Sequence, residues 1–143
     1  YQAQILFLPL QFPADAQLSA QVEAAMEDSR DVFILDQKCS TQGYQDLICN
    51  LHLLIGMRLH ALVFAAINDV PFMAISYDPK VDRFVDGMKG NVVDTIGRIT
   101  SEELVSMAGR LWHADGRQGR ERICALREEA RANIGRALEL IHR

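Results

Sequence analysis

The chain has little cysteine. Cys39, Cys49 and Cys124 are an odd set with no Cys-x-x-Cys pair and no Cys/His spacing suited to a metal. That excludes a disulfide framework, and the simplest expectation is three reduced thiols in a cytoplasmic protein. His52, His113 and His142 also lack ligand partners at useful spacing, so no metal site is expected. Long apolar runs are missing too: none reaches the ~20 residues that a membrane helix requires, and no stretch has the pattern of a signal peptide. There is no basic excess. Fifteen Lys and Arg stand against 19 Asp and Glu, a net charge of −4, so no general positive field exists to collect nucleic acid, and an anion site has to be local. Neither GxGxxG nor GxxxxGK[ST] occurs, which sets aside the ordinary dinucleotide and phosphate-loop signatures. Repeats, low-complexity segments and internal linkers are absent as well.

What is present is a chain of 143 residues, 49% hydrophobic. Such a chain fits one compact α/β domain spanning 1–143 and is too short for two ordinary domains. Its acidity is concentrated early: residues 1–50 hold two basic and seven acidic groups, while the remainder is nearly balanced. The chain opens at Tyr1 and runs at once into the apolar segment QILFLPL, which leads us to expect the C-terminal part of a longer protein.

The apolar pattern alternates between two periods. Ile5–Leu8 is a short buried strand stopped by Pro9 and Pro13. Residues 14–29 form a helix with Leu18, Val22, Ala25 and Met26 on one face. A strand at 31–36 (DVFILD), a helix at 41–50, a strand at 53–57, a helix at 59–69 and a strand at 71–76 follow. This βαβαβαβ order predicts a parallel sheet with helices on its faces. Asn68 and Asp69 stop the helix, and Pro71 opens the next strand where a missing N–H is tolerable. Beyond Tyr77, PKVDRFVDGMKGN reads as a short helix and turn. A helix capped by Thr100 with Glu103 three residues later comes next, then a long Arg/Glu-rich helix over 117–142. Its apolar stripe is Ile123, Leu126, Ala130, Ile134, Ala137, Leu138 and Ile141, to be covered by its own domain or by a part of the protein outside this chain.

Within LIGMRLHALVFAAINDVPFMAISYDPKV, Leu54–Val81, the cations fall where the apolar pattern breaks. Arg58 and His60 lie where one predicted strand ends and a helix begins, and Lys80 lies just after the next strand. Parallel strands joined by a crossover have their carboxyl ends on one edge, the edge at which open α/β sheets bind ligands. The three basic groups therefore share a crevice, and a helix N-terminus adds free N–H groups suited to phosphate or carboxylate. Histidine suits proton exchange near neutral pH. Spacing alone leaves open the plainer alternative of a structural histidine and surface ion pairs.

The segment Ile55–Val81 resembles the C-terminal signature of the polysaccharide pyruvyl transferase family, most closely the bacterial branch acting on secondary cell-wall polymers. The looser pattern FLPLQ, then VFIL, suits it as well. The resemblance implies the C-terminal Rossmann-like half of a two-domain enzyme similar to GT-B glycosyltransferases, with the active site between the halves. It implies transfer of pyruvate from phosphoenolpyruvate to two hydroxyls of a sugar as a cyclic ketal. No cofactor is required, phosphoenolpyruvate being the donor substrate. Arg58, Leu59 and His60 match the segment that contacts phosphoenolpyruvate, and Lys80 matches a further functional basic residue. His60 and Lys80 are the catalytic candidates. The implied partners are a lipid-linked amino-sugar glycan as acceptor, an N-terminal domain of the same protein, and the membrane surface in peripheral contact; nucleic acid is not among them. Apolar groups near Met57, Tyr77 and Phe84 are expected to face that other domain. Two other readings stay open: the nucleotide-sugar-binding half of a GT-B glycosyltransferase or epimerase, and a non-catalytic anion-binding domain.

Overall fold

The computed structural model describes residues 3–88, 91–93, 99–114 and 119–141, with His142 and the first residues of the expected 117–142 helix outside the described residues. The chain divides into two compact units, Tyr1–Gln42 and Gly43–Arg143.

The first unit holds strands β1 (Ile5–Phe7) and β2 (Val32–Ile34) with helix α1 (Ala14–Ala24) between them. The strands pair in parallel, Leu6 opposite Phe33, as a crossover through a helix requires. Asp15 ties the start of α1, its Oδ2 accepting the Leu10 and Gln11 N–H groups at 3.2 and 2.9 Å. The helix ends five residues before the expected Ser29. The cause is local: the Asp28 carboxylate accepts from the Arg30 N–H at 3.1 Å and from its guanidinium at 2.7 Å, and Ser29 O accepts from Val32 N–H at 3.1 Å. Asp and Ser offer the backbone these alternatives to helix. Leu18 and Val22, expected on a covered face, are exposed.

The second unit carries most of α2 (Thr41–Ile48), then β3 (Leu54–Gly56), α3 (Leu59–Ile67), β4 (Phe72–Ile75), α4 (Pro79–Gly87), β5 (Asn91–Val93), α5 (Ser101–Trp112) and α6 (Arg120–Ile141). Its sheet has the order β3-β4-β5, all parallel, with Gly56 opposite Ala74 and Ala74 opposite Val92. The expected parallel α/β pattern is present, with one correction: among the described residues the strands form a two-stranded and a three-stranded sheet. β5 also replaces part of the expected turn after α4.

Strand alternation assigns the covering helices. A Cβ on Gly56 would meet Leu54 Cδ2 at 3.1 Å and Leu62 Cδ2 at 3.4 Å, so that face lies under α3, which buries Ala61, Leu62, Ala65 and Ala66. On the same face Phe72 stacks on Phe84 of α4, centroids 6.1 Å apart. Met73 points the other way, to a cluster with Leu111, Leu104 and Met107 of α5. Full burial of Leu62 and Met73 contributes about 1.5–3 kcal/mol each.

Helix ends follow their sequence signals. α3 stops in a Schellman turn: Val70 N–H reaches Ala65 O at 3.0 Å and Asp69 N–H reaches Ala66 O at 3.4 Å, with Asp69 left-handed at φ 56°. Thr100 and Glu103 form the expected capping box, Thr100 N–H to Glu103 Oε2 at 2.9 Å and Glu103 N–H to Thr100 Oγ1 at 3.2 Å. α6 is fastened at its start, where Arg120 pairs with Asp69 at 3.2 Å and Ile123 is buried. Farther along its apolar stripe, Ile134, Leu138 and Ile141 are exposed.

Candidate functional site

The carboxyl ends of β3 and β4 define the site. Because these strands are parallel neighbours in register, the residues that follow them, Arg58 to His60 and Ser76 to Lys80, leave the sheet at one edge. Both α3 and α4 begin there, so the positive ends of two helices meet at that edge.

Arg58 is the N-cap residue of α3, in extended conformation at φ −83° and ψ 123°, and is half-buried. Leu59 is the first helical residue and half-buried; His60, next, is exposed. Gly56 permits this close start, since a side chain there would press on the buried Leu54 of β3 and Leu62 of α3.

Across the edge, Asp78 caps α4 and Pro79 follows as its first residue, a position that suits a ring without an N–H. Asp78 Oδ1 accepts from Lys80 N–H at 2.9 Å, and Asp78 Oδ2 lies 3.0 Å from Lys80 Nζ. The Lys80 N–H, followed by its ammonium, holds the Asp78 carboxyl below its ordinary value, and Arg83 adds a weaker pull in the same direction. Lys80 is exposed.

The arrangement therefore brings a guanidinium, an imidazole and an ammonium, with two helix N-termini, to one sheet edge. It is chemically equipped to hold an anion with carboxylate or phosphate groups and to exchange a proton beside it. Met57 and Tyr77, expected apolar neighbours, are exposed there, whereas Phe84 is half-buried against Phe72. Asp78 lies outside the residues that the sequence pattern marks for the site; the pair Asp78-Pro79 just after a strand is the signal that identifies it as a cap. His52 likewise has a partner that spacing could not reveal, stacking on Trp112 with centroids 5.5 Å apart and planes 11° off parallel. Among the described residues no group of three His, Cys, Asp or Glu side chains could hold a metal ion, no helix is long and apolar enough to cross a membrane, and Cys39, Cys49 and Cys124 are free thiols.

A parallel α/β protein with cations gathered at the carboxyl edge of its strands is the class that these features define. The family model for polysaccharide pyruvyl transferase matches residues 2–79, more than half of the chain, and the chain belongs to that family. The matched span includes Arg58, Leu59 and His60 and stops one residue before Lys80. No curated protein and no solved structure matches the chain.

Proposed function

We propose that this chain supplies the donor-binding half of a polysaccharide pyruvyl transferase, with phosphoenolpyruvate as donor and a lipid-linked amino-sugar precursor of a cell-wall polymer as acceptor. A GT-B-like pairing with a second domain, and work at the cytoplasmic face of the membrane, belong to the same reading. The observation that carries it is the family match running through Arg58–His60, at the sheet edge where Lys80 also emerges.

The chemistry accounts for each residue type. Protonation of the donor's methylene carbon makes C2 electrophilic; one sugar hydroxyl adds there and gives up its proton. Phosphate then leaves with the C2–O electron pair, and a second hydroxyl closes the ketal. One hydroxyl proton ends on the new methyl group and the other leaves with phosphate. In this scheme His60 delivers the proton to the methylene and accepts one from a hydroxyl. Arg58 grips a donor oxyanion with two parallel hydrogen bonds, Leu59 presents its backbone N–H at the start of α3, and Lys80 neutralises the departing phosphate.

Calorimetric titration with phosphoenolpyruvate and, separately, with UDP-sugars tests the proposal. Saturable binding of phosphoenolpyruvate that is lost in Arg58→Ala is the expected result. Binding of UDP-sugars in its place would overturn it in favour of a nucleotide-sugar domain.

A further inference from the structure

The carboxylate of Asp78 serves two partners on the same residue. One oxygen caps α4 through the Lys80 N–H at 2.9 Å, and the other meets the Lys80 ammonium at 3.0 Å. A lysine in the first turn of a helix is otherwise poorly placed, because the positive end of the helix and its free N–H groups repel an ammonium. A long, rotamer-rich side chain also disperses in water unless something fixes it. The Lys80 side chain is 52% exposed and that of Asp78 32%, so the pair lies where a ligand can reach the ammonium without displacing packed structure.

We propose that Asp78 is a positioning residue for Lys80: the pairing of both carboxylate oxygens with Lys80 holds the ammonium over the start of α4, ready for a donor oxyanion at the edge shared with Arg58 and His60. This rests on the reading of the edge as a phosphoenolpyruvate site. An arriving oxyanion then finds the ammonium in place and shares it with Asp78, so the ordering of the side chain precedes binding. The carboxylate also opposes the incoming anion, and this second effect has the opposite sign, which makes the proposal decidable.

The test uses Asp78→Asn, because asparagine caps a helix as well as aspartate does and removes only the charge facing the ammonium. NMR relaxation of the Lys80 side chain should show restricted motion in the unaltered protein and motion typical of a surface lysine in Asp78→Asn, with both proteins equally folded by circular dichroism. In calorimetry, Asp78→Asn should weaken phosphoenolpyruvate binding about three- to fivefold, the scale of one exposed ion pair, and should weaken it no further in a Lys80→Ala background. Equal Lys80 mobility in both proteins, or equal or tighter phosphoenolpyruvate binding by Asp78→Asn, overturns the proposal. If the unaltered protein binds no phosphoenolpyruvate, the donor assignment falls, while the relaxation measurement still decides what Asp78 does to Lys80.

Discussion

At the scale of single residues, the positions of Arg58, His60 and Lys80 were legible because each interrupts an apolar pattern where a strand ends. Asp78 was not, since a capping carboxylate and a surface aspartate look alike until the helix start is fixed. Gly119 shows the same limit. It has φ +92°, and a Cβ there would stand 2.9 Å from the Met88 backbone oxygen, a contact with a residue 31 positions away that no local pattern encodes. Gly119→Ala therefore combines a left-handed backbone that alanine resists with a clash against main chain. The expected cost is about 1–3 kcal/mol, seen as a lower denaturant midpoint at unchanged slope. An unshifted midpoint would mean that the start of α6 relaxes freely.

At the scale of elements, the strongest sequence signals were the caps. The Thr100–Glu103 box starts α5 and the Asn68-Asp69 pair ends α3 as read. Boundaries set by competition were harder, as where Asp28 and Ser29 draw the chain out of α1. β5 is not legible in the sequence because three residues carry too little alternation; pairing with β4 makes the strand. Thr100→Ala removes the hydroxyl that accepts from the Glu103 N–H and donates to Glu103 Oε2 while leaving the bond from the residue 100 backbone N–H to Glu103, and should cost about 1 kcal/mol, measured as a drop in equilibrium stability that Thr100→Ser largely avoids. The cap of α4 titrates. Since the Asp78 carboxyl is held below its ordinary value of 3.8, its contribution to stability is complete above that pH and is lost as pH falls through the lower folded value. The Lys80 amide resonance reports this directly: its acid titration should have a midpoint below 3.8, moving up toward 3.8 in Lys80→Ala as the ammonium's share of the pull is removed. A midpoint at or above 3.8 in the unaltered protein would contradict the cap geometry.

At the scale of the whole molecule, a sequence can announce parallel strands and crossover helices, because both are local periodicities, but it cannot say which strands share hydrogen bonds. Among the described residues β1 and β2 pair with each other while β3, β4 and β5 form a separate sheet, a division that the apolar rhythm, continuous through all of them, does not reveal. The same gap between local and global bears on catalysis. In the proposed reading the edge after β3 and β4 offers cations to a donor that carries carboxylate and phosphate, whereas ketal formation also requires two acceptor hydroxyls held in order against one carbon. Orienting a second reactant is a large share of such a barrier, and the proposed half-site reading assigns that task to another domain. This chain alone should accordingly bind phosphoenolpyruvate without releasing phosphate when an acceptor glycan is added. In an assembled enzyme, His60→Ala should lower kcat by about 10²–10⁴ with little change in donor affinity, because proton transfer belongs to the transition state. Lys80→Ala should weaken donor binding as well, its charge acting on phosphate before and during departure. Acceptor-dependent phosphate release, followed with each variant shown to be folded by circular dichroism, separates the cases. Full turnover by folded His60→Ala would remove that residue from the chemistry, and turnover by this chain alone would show that its single edge orients both reactants.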